Sequence, residues 1–154
     1  MAVPTIEERY DDAIAQRMLG YSNTMPGLPA YLGIKLVRFA PGALAAEANL
    51  ARQELTPSDN VHGGAIAAIL DHVTGAVVYP LIPDGHWGAT TELKLNYVAP
   101  VTRGVLRVDA SVLAITNRSA VVRAEAFQAE RLVAAAQGTI AIVAPRAADS
   151  RVLA

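Results

Sequence analysis

The chain has 154 residues, enough for one compact domain with a sizeable core. Hydrophobic residues make up 53% and charged ones 18%, with a formal net charge of -1. These values exclude a disordered chain, a coiled coil and a basic face for nucleic acid. Cysteine is absent, which also excludes disulfides, zinc–thiolate centres and thiol nucleophiles.

The N-terminal residues lack the apolar core of a signal peptide, and no apolar run approaches the roughly 18 residues of a membrane span. A cytoplasmic protein with no membrane partner is expected. Residues 4–18 predict one amphipathic helix, opening at Pro4-Thr5 with Ile6, Tyr10, Ile14 and Met18 at helical spacing. A Gly/Pro-rich turn region follows from Gly20 to Pro29. Two strands are expected over about 31–39 and 43–51, joined by the turn signal Pro41-Gly42.

The segment from Gly64 to Tyr79 is apolar almost all the way round, the pattern of a helix buried on every side, and Pro80 and Pro83 close it. Four strands in meander are then expected, at about 87–99, 104–116, 119–129 and 132–143. Leu93, Leu95 and Tyr97 alternate with Glu92, Lys94 and Asn96, and Leu106, Val108, Ala110 and Val112 with Arg107, Asp109 and Ser111. Asn117-Arg118 and Glu130-Arg131 are short polar breaks suited to hairpins. A surface tail is expected from Pro145, after a core of about 30–143.

This order predicts a single α+β domain over 1–154, an antiparallel sheet of five to six strands wrapped around one long buried helix. One sheet covers only one side of such a helix. The other side needs a second layer, most economically a symmetry mate, so the pattern favours an obligate dimer.

Asp71 is the only formally charged residue within the apolar helix. A carboxylate there costs several kcal/mol unless it is paired, hydrogen-bonded or neutralised. One reading is structural, with Asp71 bonded to Thr74 or to a partner's arginine; the other is catalytic. Just upstream stand Asn60-Val61-His62-Gly63-Gly64, where the helix begins. The glycines allow close backbone approach, and the first helical N–H groups lack partners, which makes an oxyanion site. Taken alone, Gly63-Gly64 reads better as a tight turn feeding a packed helix.

His62-Gly63-Gly64 with a carboxylate nine residues after the histidine resembles the hotdog-fold acyl-CoA thioesterases, in the phenylacetate-pathway and hydroxybenzoyl-CoA thioesterase-like branch. The resemblance covers roughly 30–143 and includes Asn96-Tyr97-Val98-Ala99-Pro100 and Asn117-Arg118-Ser119. It implies hydrolysis of a small or medium acyl-CoA or aryl-CoA by a homo-oligomer, usually a dimer of dimers, with active sites at the dimer interface. The Gly63 N–H would polarise the thioester carbonyl, and Asp71 would activate water or attack as nucleophile. Thr90 occupies the position of an assisting hydroxyl. Two positions depart from the family pattern: Thr56 replaces a side-chain amide, for which Asn60 is the substitute, and Gly75 replaces a hydroxyl one turn after the carboxylate.

Eight residues separate Gly63 from Asp71, about 12 Å along a helix, so one carbonyl carbon cannot sit within about 3 Å of both. An antiparallel partner helix resolves this. Arg118, with Asn117 and Ser119 at its hairpin, is the candidate for the coenzyme A phosphates, whereas Arg123 reads as part of a solvated face. His62, His72 and His86 lack metal-ligand spacing, and His62 reads as a helix-start residue. No metal and no cofactor beyond the substrate's coenzyme A are expected. The alternatives are an enoyl-thioester hydratase using Asp59 and His62, and a non-catalytic acyl-CoA-binding protein.

Overall fold

The computed structural model describes residues 4–51 and 55–145; all of the expected C-terminal tail beyond Pro145 lies outside them. The N-terminal segment opens with a capping box. The Thr5 hydroxyl accepts from the Glu8 amide, and the Glu8 carboxylate takes the Thr5 N–H at 2.8 Å, which starts α1 (Ile6–Arg9). The chain then extends at Tyr10 and restarts as α2 (Asp12–Ser22), because the Asp11 carboxylate caps the Ala13 and Ile14 amides. The single helix expected over 4–18 is therefore two helices, and the second runs into the stretch read as a turn. Asp11 also donates its N–H to the Pro80 carbonyl at 2.8 Å, which ties the break to the end of the core helix. Ile6, Tyr10 and Met18 still pack on the core across that break. A single turn, α3 (Leu28–Tyr31), leads into the sheet.

Six strands follow: β1 (Ile34–Ala40), β2 (Ala43–Leu50), β3 (Trp87–Tyr97), β4 (Gly104–Ile115), β5 (Ser119–Gln128) and β6 (Arg131–Val143). All pair antiparallel, in the order β1-β2-β4-β5-β6-β3. The expected four-strand meander is thus only β4-β5-β6. β3 lies beyond β6 at the sheet edge, and the segment after it crosses the end of the sheet to reach β4. That crossing cannot be a tight hairpin: Pro100 supplies no amide, Val101 is buried, and the Val101 carbonyl accepts from the Val61 N–H at 2.7 Å. β3 carries one irregularity. Thr90 pairs with Ile140 and Glu92 with Thr139, leaving Thr91 as an extra residue.

The long helix α4 (Gly63–Ala76) packs against β2, β3, β4, β5 and β6, and a turn of tighter helix at Tyr79–Leu81 continues it. Ile66, Ile69, Leu70 and Val73 are buried together with Leu44, Leu50, Leu106 and Ile140 from the sheet. Each such side chain contributes about 1.5–3 kcal/mol of burial. Gly63–Leu81 is, by length and composition, apolar enough to cross a membrane, contrary to the sequence reading, yet 56% of it is already buried against the strands. A second correction concerns burial. Within the chain α4 is covered on one side only. Gly64 and Asp71 are exposed, and Ala67, Ala68, His72 and Gly75 are half-buried.

Candidate functional site

His62 stands in extended conformation immediately before α4, and its Nδ1 accepts from the Gly64 N–H at 2.9 Å. That bond requires Nδ1 to be unprotonated, so neutral His62 carries its proton on Nε2. The Ala65 and Ile66 amides turn back to the His62 carbonyl at 2.9 and 3.4 Å. Gly63 is left as the one first-turn residue of α4 whose N–H has no acceptor among the described residues.

The Tyr97 hydroxyl, at the end of β3, donates to the Gly63 carbonyl at 2.8 Å. The ring lies so close that a Cβ built on Gly63 would sit 3.1 Å from Tyr97 Cζ. Around this point Val61, Ile66, Val98, Pro100 and Val101 complete an apolar hollow of about 360 Å³. A second hollow, of about 400 Å³, lies on the outer sheet face between Arg38, Asp109 and Arg123. It has no share of α4, and Arg123 there is ion-paired with Glu125 on its own strand.

Asp71 lies two turns along α4 from Gly63 and is exposed, not buried. Its carboxylate has no hydrogen bond or ion pair among the described residues, and the Thr74 hydroxyl bonds the Asp71 backbone carbonyl at 2.9 Å instead. The cost argued from a buried charge therefore does not apply within one chain. A Cβ on Gly88 would lie 3.1 Å from Val78 Cγ2 and 3.7 Å from the Gly75 carbonyl, while Tyr97 meets Gly63, so β3 runs antiparallel to α4. Thr90, two residues along the strand from Gly88, is exposed and has no hydrogen bond to Asp71 among the described residues. Thr90 also shares the inward face of its partner Ile140.

The remaining candidates are not gathered at Gly63. Asn60 precedes the helix; its carbonyl accepts from the Thr56 N–H, and its side chain makes no bond among the described residues. Ser119 pairs with Ala141, which pairs with Ala89, so Asn117, Arg118 and Ser119 lie about 25 Å from Tyr97 along β3. Asn117 Oδ1 is occupied by Arg9 at 2.9 Å, the Ser119 amide bonds the Thr116 hydroxyl, and the Arg118 side chain has no partner among the described residues. The sequence reading missed Tyr97 as a site residue; its only signal was the Asn96–Pro100 motif.

Beside Asp71, burial lowers the His72 pKa, and the Asp71 carboxylate partly opposes the shift. An imidazole lowered in the fold is protonated first in the unfolded chain as pH falls. The stability tied to neutral His72 is thus complete above about 6.5 and is lost as pH falls towards the folded value. Denaturant midpoints should drop between pH 7.5 and pH 5.5, and His72→Phe should lose less over the same interval. An equal loss in both proteins would clear His72 of the effect.

Residues 59–135, half of the chain, match the family model of the thioesterase superfamily. No curated protein matches the chain by sequence. Among solved structures, a conserved protein of Pseudomonas aeruginosa is 28% identical with a TM-score of 0.74, covering 84% of this chain and 99% of that one. A phenylacetic acid degradation-related protein from Ralstonia eutropha is 28% identical with a TM-score of 0.77, covering 83% and 98%. A protein of the phenylacetic acid degradation operon of E. coli shares the fold, at 17% identity and a TM-score of 0.76, covering 85% and 94%. The chain belongs to the thioesterase superfamily. It is a thioester hydrolase with the α+β hotdog fold, and its neighbours agree with the branch that its sequence resembles.

Proposed function

We propose that this protein hydrolyses a small or medium acyl-CoA or aryl-CoA at a site completed by two copies of the chain. The observation that carries this reading is a Gly63 N–H at the mouth of an apolar hollow and an Asp71 carboxylate about 12 Å away on the uncovered face of the same helix, neither with a partner among the described residues. Pairing two α4 helices antiparallel would cover that face and bring the partner's Asp71 to Gly63. The small residues Gly64, Ala68 and Gly75 let the helices approach closely. The Gly63 amide then donates to the thioester oxygen as negative charge develops there, an interaction strongest in the transition state. The partner's Asp71 either takes a proton from the attacking water and passes it to the leaving sulfur, or attacks the carbonyl itself to form an acyl anhydride that water then hydrolyses, the displaced thiolate taking its proton from water. On both routes coenzyme A leaves as the thiol and the acyl group as the acid, and Thr90 is the candidate assisting hydroxyl. Arg118, whose side chain has no partner among the described residues at the far hairpin, is the candidate contact for the coenzyme A phosphates.

The test is free-thiol release from aryl-, short- and medium-chain acyl-CoAs. Turnover of at least one of them is expected, with preference for acyl groups that fit about 360 Å³. Binding of every member without thiol release would reduce the protein to an acyl-CoA carrier.

A further inference from the structure

We infer that Tyr97 is a positioning residue for the thioester carbonyl, acting through the first peptides of α4. The inference rests on the reading of Gly63 given above and adds a residue to it. One peptide unit is held from both sides: the Tyr97 hydroxyl donates to the Gly63 carbonyl at 2.8 Å, and the amide of the same peptide, the Gly64 N–H, donates to His62 Nδ1 at 2.9 Å. Hydrogen bonds in series through a peptide polarise one another, and here they also fix its plane. The neighbouring peptide carries the unpaired Gly63 N–H. That peptide is also held at its own carbonyl by the Ala65 and Ile66 amides; because Gly63 has no side chain to restrain the torsions between the two peptides, the Tyr97 and His62 Nδ1 bonds set how the second is turned against the first.

The packing points the same way. Tyr97 is 54% exposed, so its ring is not there to fill the core. It lies over Gly63 at a distance that any larger residue at 63 would disturb, and it forms one wall of the hollow that Gly63 also lines. A half-exposed phenol spent on a helix carbonyl, beside the one amide of that turn with no acceptor among the described residues, makes sense as an aiming device. Its removal should weaken the transition-state contact while leaving substrate binding nearly intact.

The experiment compares wild type with Tyr97→Phe, which keeps the ring and deletes the donor. The expected result is a kcat lower by about tenfold with KM within about twofold, since a misdirected oxyanion donor costs less than a missing one. In an Asp71→Asn background, which holds the thioester unreacted, the infrared carbonyl stretch of a bound isotope-labelled acyl-CoA should move to higher frequency when Tyr97→Phe is added. An unchanged kcat and an unchanged stretch would overturn the inference. A fall in thermal stability with both unchanged would do the same, because it would make Tyr97 a purely structural contact. If Tyr97→Phe does not fold, difluorotyrosine at 97 preserves the volume. Its phenol ionises near neutrality, so kcat should then fall as pH rises through that ionisation; a pH profile identical to wild type overturns the inference. A wild-type protein that releases no thiol from any acyl-CoA instead refutes the underlying reading.

Discussion

Asp71→Asn should fold as the wild type does and turn over acyl-CoA at least about 100-fold more slowly, since general-base and nucleophilic roles are worth that much. The motivation is a carboxylate with no partner among the described residues, on the uncovered face of a helix that is otherwise apolar or glycine apart from His72 and Thr74. Its stability effect should be small in the isolated chain, where Asp71 is exposed. In an assembled pair, neutralising a carboxylate enclosed between two helices should raise stability. The measurement is kcat on the best substrate alongside a thermal melt. A folded Asp71→Asn protein with most of its turnover intact would remove Asp71 from the mechanism.

The second large effect is restoration of activity by mixing two inactive proteins. Gly63→Pro deletes the free amide at the first helical position, where proline is well tolerated. Its ring would press on the tip of Tyr97, which is half-exposed and able to give way. Alone, Gly63→Pro and Asp71→Asn should each be nearly inactive. Refolded together in equal amounts with random two-fold pairing, about half the pairs are mixed. Each mixed pair holds one doubly defective site and one intact site, so about a quarter of wild-type activity should return. If Gly63 and Asp71 of one chain served the same site, no intact site could form. Mixed pairs seen by mass spectrometry but without recovered turnover would therefore refute site sharing.

Much of the architecture was legible because its signals are local. The alternation from Leu106 to Val112 and the polar breaks at Asn117-Arg118 and Glu130-Arg131 mark β4, β5 and β6 to within a residue or two. The position of β3 was not legible. Its pairing with β6 joins residues some forty or more apart, and nothing local distinguishes an edge strand beside β6 from one beside β4. The split between α1 and α2 did have a local signal. Asp11 is a strong cap, but helical periodicity runs straight across it and dominated the reading.

At the site, the residue types and spacing from His62 to Asp71 were readable, and so was the coverage of α4 by one sheet on one side only. The exposure of Asp71 could also have been read. Gly64, Ala68, Asp71 and Gly75 follow i, i+4, i+7, i+11 spacing, one face of small residues and a carboxylate that no single sheet has reason to cover. The bond from Tyr97 to Gly63 spans 34 residues and depends on how β3 crosses the helix start, so no sequence pattern carries it.

The extra residue Thr91 has a consequence for how this enzyme can vary. A strand presents alternate residues to opposite faces, so its even and odd positions belong to different environments. Gly88 and Thr90 are even and inward; past Thr91 the inward residues are odd, Leu93, Leu95 and Tyr97. One inserted residue thus changes parity midway. It puts both the Thr90 hydroxyl and the Tyr97 phenol on the helix side of a single strand. Substitutions at the exposed Thr91 leave that parity alone. A deletion there would send either the Thr90 half or the Tyr97 half to the outer face, so this surface position is constrained in chain length, and in residue type only through the bond from the Thr91 hydroxyl to the Thr139 carbonyl.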